Sequence, residues 1–220
     1  MRAVIFDLDG VITDTAEYHY LAWKSLAEEL GLPFNKDFNE KLKGISRMES
    51  LELVLSLDQG SYSEEQKLQL AAKKNDLYKT MIAQVTPADL LPGIEKLLKE
   101  LKEAGLLTAL ASASKNASFI LDRLEVAHYF DHIVDVALIR QGKPDPEIFL
   151  TAAAKLGVAP ADCVGIEDAE AGIQSILAAG MFAVGVGTPA KMQQADLIVS
   201  STERLSLSLL QSSFIKKALS

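Results

Sequence analysis

Cysteine is nearly absent from this sequence of 220 residues; the one present is Cys163. A single cysteine excludes an internal disulfide, and nothing in the pattern points to an oxidising compartment. Cys163 falls in an apolar, strand-like run and is expected in the core. Basic residues are outnumbered, 22 Lys and Arg against 30 Asp and Glu, for a formal charge of −8. That balance argues against non-specific nucleic-acid binding, which depends on basic surface. It also requires any anion site to be locally positive. Long apolar runs are missing too: none approaches the ~20 residues that a membrane span needs. Two aspartates interrupt the N-terminal apolar run almost at once, unlike a secretory leader. The expectation is a soluble, cytoplasmic, monomeric protein that binds neither nucleic acid nor membrane.

Repeats and low-complexity tracts are also lacking. What is present is a chain that is 49% hydrophobic, enough for one large domain or one domain with an insert. Short apolar runs at 3–6, 107–111, 132–134, 163–166, 182–186 and 197–199 read as strands. Helical patterns at 93–104, 117–124, 146–156 and 169–179 separate several of them. Strands alternating with helices predict an α/β fold with a mainly parallel sheet.

One interval is too long. Residues 7–106 separate the first two runs, whereas a crossover needs only about a dozen residues. The interval reads as helical, with a long helix at 63–83 capped by Ser63. Tyr18, Leu21, Ala22, Ser25, Leu26 and Leu30 form a mostly apolar helical stripe. Thr15, His19 and Trp23, at i, i+4 and i+8, share a different face. That face holds either a half-exposed Trp and a surface His, or a wall that overhangs a site. The chain is expected to leave the sheet near Asp14 and return near Leu91, before Pro92-Gly93.

In open α/β sheets ligands bind beyond the carboxyl ends of the strands. After the first run comes FDLDGVITDT, which sets Asp7 and Asp9 two residues apart. At ~5 Å and an effective dielectric of ~20, their charges repel by roughly 3 kcal/mol. A proton, a cation or a rearrangement must relieve that. The pair is not an EF-hand, because Val11 and Ile12 occupy its fifth and sixth positions. After the second run come Ser112, Ala113, Ser114, Lys115 and Asn116. Ser114 suits a helix N-cap, whereas Ser112 and nearby N–H groups suit a phosphate. In GKPDPEIF, Asp145 and Pro146 suit an N-cap and first helical position. Lys143 has no such local use. Asp168 of Glu167-Asp168 can be a cap or a ligand of Mg²⁺.

Taken together, these ends carry carboxylates, a hydroxyl, a lysine and further carboxylates. A divalent cation would neutralise the acidic cluster and an incoming phosphoryl group, with lysine as a second positive contact. One carboxylate can then attack phosphorus while the other protonates the leaving oxygen.

The order Asp7-Leu8-Asp9-Gly10, Ser112, Lys143-Pro144, Glu167-Asp168 resembles the four motifs of the haloacid dehalogenase superfamily, in its helical-cap branch, over essentially the whole chain. The resemblance implies a Rossmann-like core of residues 1–14 and 91–220. A helical-bundle cap, residues 15–90, would be inserted after the first strand. It implies Asp7 as a nucleophile that becomes aspartyl phosphate and Asp9 as general acid/base. Ser112 and Lys143 would hold phosphate. Asp7, the Asp9 carbonyl, Glu167 and Asp168 would surround Mg²⁺. The second aspartate argues for phosphoryl transfer and against dehalogenation.

The insert carries LKGISRMES, in which Ser46 and Glu49 form a capping box. Arg47 is either a solvated charge or a phosphate contact at the helix start. TDTAEYHYLAWK, LKGISR and ASASKN are similar to the sugar-phosphate mutases of the superfamily. That similarity implies that Arg47, Lys115 and Asn116 grip the phosphate not being transferred. Trp23, Lys43, Gly44, Ile45, Ser46, Arg47, Ser50, Ala113 and Ser114 would line the sugar site, and His19 would position Asp9. The implied activity interconverts β-D-glucose 1-phosphate and D-glucose 6-phosphate, with β-D-glucose 1,6-bisphosphate as intermediate. The alternative is a sugar-phosphate phosphatase, which differs in whether water reaches Asp7.

Overall fold

The computed structural model describes residues 1–42, 44–58 and 60–219. Its strands are β1 (Ala3–Phe6), β2 (Leu107–Leu110), β3 (His132–Ile133), β4 (Cys163–Glu167), β5 (Phe182–Val186) and β6 (Leu197–Val199). They form one sheet in the order β3-β2-β1-β4-β5-β6, and every pairing is parallel. The central strand β1 is buried along its length. Its alternate side chains serve two layers, as a period of two requires. Val4 and Phe6 join an apolar cluster with Leu97, Leu101 and Ile120 on one face. Ala3 and Ile5 join Phe149, Ala152 and Ile176 on the other.

The layers come from α5 (Ile94–Glu103), α6 (Ala117–Arg123), α7 (Glu147–Leu156), α8 (Glu170–Ala178) and α9 (Leu207–Ala218). Between β1 and α5 lie α1 (Ala16–Glu29), α2 (Lys36–Asn39), α3 (Arg47–Leu55) and α4 (Glu64–Ile82). This helical interval has an apolar cluster of its own, which includes Trp23, Leu26, Leu42, Leu51, Val54 and Ala71. The outgoing and returning segments run side by side, with an antiparallel bridge between Thr13 and Leu90. Among the described residues no helix is long and apolar enough to cross a membrane. Cys163 is buried, as its apolar run suggested.

Several local readings shift. The fourth strand runs on through Glu167, which pairs with Gly185 of β5; a carboxylate was not expected inside a strand. In α1 the buried face is Ala22, Trp23, Leu26 and Ala27. Leu21 and Ser25 of the expected stripe are exposed. Trp23 is only 2% exposed, because it packs into the insert's own cluster. The capping boxes at Ser46 and Ser63 are both formed. Helix α7 starts at Glu147 rather than Pro146, and Asp145 Oδ1 accepts from the Glu147 N–H at 2.9 Å. Neither Ser114 nor Asp168 is an N-cap, since Asn116 and Ala169 hold those positions.

Candidate active site

The four strand-end segments meet at the carboxyl edge of β1, where the connections diverge to β2 on one side and β4 on the other. Asp7 follows β1 directly, and its N–H donates to Ile166 O at 3.0 Å. The chain then turns at Gly10, whose φ of +73° is costly for other residues. A side chain there would also overlap Asp168 Oδ2. The glycine thus allows two acidic segments to approach closely. Gly172 does the same for Glu167, whose carboxylate occupies the space a Cβ would fill.

Lys143 is 1% exposed and lies between two carboxylates. Its Nζ donates to Asp7 Oδ1 at 2.6 Å and to Glu167 Oε1 at 2.7 Å. The other Glu167 oxygen accepts from the Ala169 N–H at 2.7 Å. Burial works against the Lys143 charge, yet Asp7 and Glu167 outweigh it and hold the ammonium above its ordinary range. Burial likewise pushes the Asp7 carboxyl up to about 7, against the pull of Lys143. One lysine is therefore too little positive charge to keep Asp7 fully ionised near neutral pH.

Oxygens of Asp7, Glu167 and Asp168 lie within 4.8 Å of one another. Three carboxylates against one ammonium leave a formal excess of two negative charges. Hard oxygen donors with that excess fit a divalent cation. The Asp9 side chain turns away from this group. Its carboxylate accepts from the Thr15 N–H at 3.1 Å and from the Thr15 hydroxyl. Burial raises the Asp9 carboxyl despite those bonds.

A cleft of about 100 Å³ opens above Asp7 and Asp9. Ser112, Ala113, Ser114 and Lys115 come to it from the sheet side, and Trp23, Gly44, Ile45, Arg47 and Ser50 from the insert. His19 lines it as well, with Nε2 3.9 Å from Asp9 Oδ2. Lys43 lies outside the described residues. Ser46 and Asn116 do not line the cleft: Ser46 caps α3, and Asn116 Nδ2 donates to Asn75 Oδ1 at 3.0 Å. Lys143 and Glu167 are buried behind Asp7 and are not part of the cleft wall.

The sequence reading missed Lys74, which is 2% exposed and lines the cleft. Its Nζ is 2.7 Å from His19 Nδ1 and 4.7 Å from the centre of the Trp23 ring. Burial, then the Arg47 charge, lowers its ammonium to about 7. Burial also keeps His19 well below its ordinary value, helped by Lys74 and Arg47. A signal existed: Ala71, Lys74, Tyr78 and Ile82 are the buried residues of α4, at spacings of three and four. A lysine in a buried helical stripe needs a reason. Arg47, Lys74 and Lys115 all line the cleft without an ion-pair partner among the described residues.

Residues 1–180 match the model of the haloacid dehalogenase-like hydrolases. The chain belongs to that family. This haloacid dehalogenase-like hydrolase is 56% identical over 212 residues to a β-phosphoglucomutase of Bacillus subtilis, covering 96% of this chain and 94% of the relative. It is 30% identical over 184 residues to a phosphorylated carbohydrates phosphatase of Thermotoga maritima, covering 82% of each. The crystal structure of a β-phosphoglucomutase from Clostridium difficile superposes with a TM-score of 0.98 at 46% identity, over 100% of both chains. The six-stranded parallel sheet and its helices are thus those expected of the family.

Proposed function

We propose that this haloacid dehalogenase-like hydrolase is a phosphomutase that interconverts β-D-glucose 1-phosphate and D-glucose 6-phosphate. The observation that carries the reading is the set of cations on and directly behind one cleft. Lys143 stands at Asp7, whereas Arg47 and Lys115 line the cleft with no ion-pair partner among the described residues. Two separate anion positions suit a ligand that carries a phosphate at each end. The β-phosphoglucomutases of Bacillus subtilis and Clostridium difficile support the same assignment.

In this reading residues 1–14 and 91–220 form the core, and residues 15–90 form a cap over it. Asp7 carries the phosphoryl group as an aspartyl phosphate. The hydroxyl at C6 of glucose 1-phosphate attacks that phosphorus; its P–O bond forms as the bond to Asp7 breaks, and Asp9 takes the hydroxyl proton. The bisphosphate then reorients. Asp7 attacks the phosphorus on C1, Asp9 returns its proton to the departing oxygen, and Asp7 is phosphorylated again. Ser112 holds the transferring phosphate, with Lys143 fixing Asp7 from behind, while Arg47 and Lys115 hold the other. Trp23, Gly44, Ile45, Ser50, Ala113 and Ser114 surround the sugar, and His19 positions Asp9. Mg²⁺ would be held by Asp7, Glu167, Asp168 and the Asp9 carbonyl, and would supply neutralising charge.

The cap keeps water from the aspartyl phosphate by closing on the core. Lys191 to Glu40 at 2.7 Å and Asn116 to Asn75 at 3.0 Å are contacts available to that closure. A phosphatase like the Thermotoga maritima relative would admit water instead. The test is ³¹P NMR with Mg²⁺, β-glucose 1-phosphate and a trace of glucose 1,6-bisphosphate. Growth of glucose 6-phosphate with little inorganic phosphate is expected. Growth of inorganic phosphate instead would overturn the mutase assignment and keep the family's chemistry.

A further inference from the structure

Asn39 is the last residue of α2 and lies on the cleft wall beside Leu42. It is 8% exposed. Its backbone is fixed, since its N–H donates to Asn35 O at 3.0 Å and the Asn35 side chain caps the same turn. Its carboxamide makes no hydrogen bond among the described residues. Yet among those residues no fully buried side-chain nitrogen or oxygen lacks a partner. Both facts hold only if the small exposed remainder of Asn39, a residue of the cleft lining, includes its polar atoms. A buried amide left to a few waters is costly unless a ligand completes its hydrogen bonds.

The chemistry of the group selects the ligand. A carboxamide offers two donors and a two-lone-pair acceptor with no charge. Phosphate is better served by Arg47 and Lys115 on the same cleft. A neutral donor and acceptor together match hydroxyl groups, which both give and accept a proton. Trp23 and Ser50 line the cleft from the same insert and are also almost fully buried. They offer an indole N–H and a hydroxyl, so beside the charges of Arg47 and Lys74 this wall has apolar surface with a few neutral hydrogen-bonding points. Such a wall recognises a sugar ring.

We propose that Asn39 hydrogen-bonds a ring hydroxyl of the sugar phosphate and thereby sets which hexose the enzyme accepts. The inference deepens the sugar-phosphate reading above and rests on it. A site built to bond a hydroxyl discriminates against the analogue that lacks it, because its own polar group is left unpaired.

The experiment compares the full-length wild type with Asn39→Ala and the near-isosteric Asn39→Leu, all with Mg²⁺. Each is assayed on β-glucose 1-phosphate and on its 2-, 3- and 4-deoxy analogues, following both the isomerised product and inorganic phosphate. On the parent substrate both variants should lose about tenfold in kcat/KM, the worth of one hydrogen bond, mostly through KM. On one deoxy analogue the wild type should fall by a similar factor, and the variants should then match it within about twofold. An equal loss on all four substrates, no loss on the parent, or failure of both variants to fold would overturn the assignment. If the wild type releases inorganic phosphate instead of isomerising, the mutase reading fails. The same comparison on phosphate release still decides the role of Asn39.

Discussion

Replacing Lys143 with Met keeps the length of the side chain and removes one buried charge from between two others. Nζ contacts Asp7 and Glu167 at 2.6 and 2.7 Å. At an effective dielectric of ~20, each contact is worth ~6 kcal/mol of attraction. The cost of burying the charges offsets much of that, so removing only the lysine should destabilise the protein by about 3–5 kcal/mol. With an m-value of about 2 kcal/mol/M, the urea midpoint should fall by about 2 M at pH 8 without divalent cation. The sign of the pH dependence follows from the carboxylates. Asp7 is already raised above its unfolded value by burial. Without Lys143 it rises further, so the fold retains a proton that the unfolded chain releases. Stability of the variant therefore falls as pH rises from about 4 to 8, and its deficit against the wild type shrinks at pH 5. Mg²⁺ should restore part of the loss, by about 2.7 kcal/mol at one hundred times its dissociation constant. A midpoint within about 0.3 M of the wild type at pH 8 without Mg²⁺ would refute the reasoning, since three charges so buried cannot lose their cation at no cost.

Three other substitutions probe the same site. Asp7→Asn should abolish turnover, because an amide is a poor nucleophile; substantial activity in a Mg²⁺-saturated sample would remove Asp7 from that role. Arg47→Ala should leave the urea midpoint nearly unchanged and weaken binding of glucose 1,6-bisphosphate, measured by calorimetry, by at least about tenfold more than binding of inorganic phosphate. Equal losses would move Arg47 away from the second phosphate. Lys74 titrates near 7 in the fold and near 10.5 when unfolded. The unfolded chain holds the extra proton between those values, so wild-type stability should climb with pH across that window. In Lys74→Met the climb should be flatter, and an unchanged slope in denaturant titrations would show that Lys74 is not the source.

The strands and most helices were legible because their signals are local. An apolar run such as Ala3–Phe6 or Phe182–Val186 needs only its own residues to announce a buried strand. Ser46 with Glu49 and Ser63 with Gln66 cap helices through bonds made three residues away. The errors arose where a distant partner decided the outcome. Trp23 was assigned to a face apart from the apolar stripe of α1. It is buried because α3 and α4 bring Leu51, Val54 and Ala71 against that side. Lys74 in α4 meets His19 of α1, 55 positions earlier.

The sequence alone determined the inventory of chemistry and its order along the chain. Asp7, Asp9, Ser112, Lys143, Glu167 and Asp168 each follow or end an apolar run, and the parallel sheet then brings all of those ends to one edge. The tertiary structure decided how those charges are shared. Lys143 and Asp7 are 136 positions apart, yet one ammonium serves both Asp7 and Glu167, while Asp9 turns to Thr15. It also decided that Asn39 lines the cleft. Backbone periodicity is set by neighbours within a turn. Burial and charge pairing depend on which remote segments exclude water together, and no single stretch of sequence contains that information.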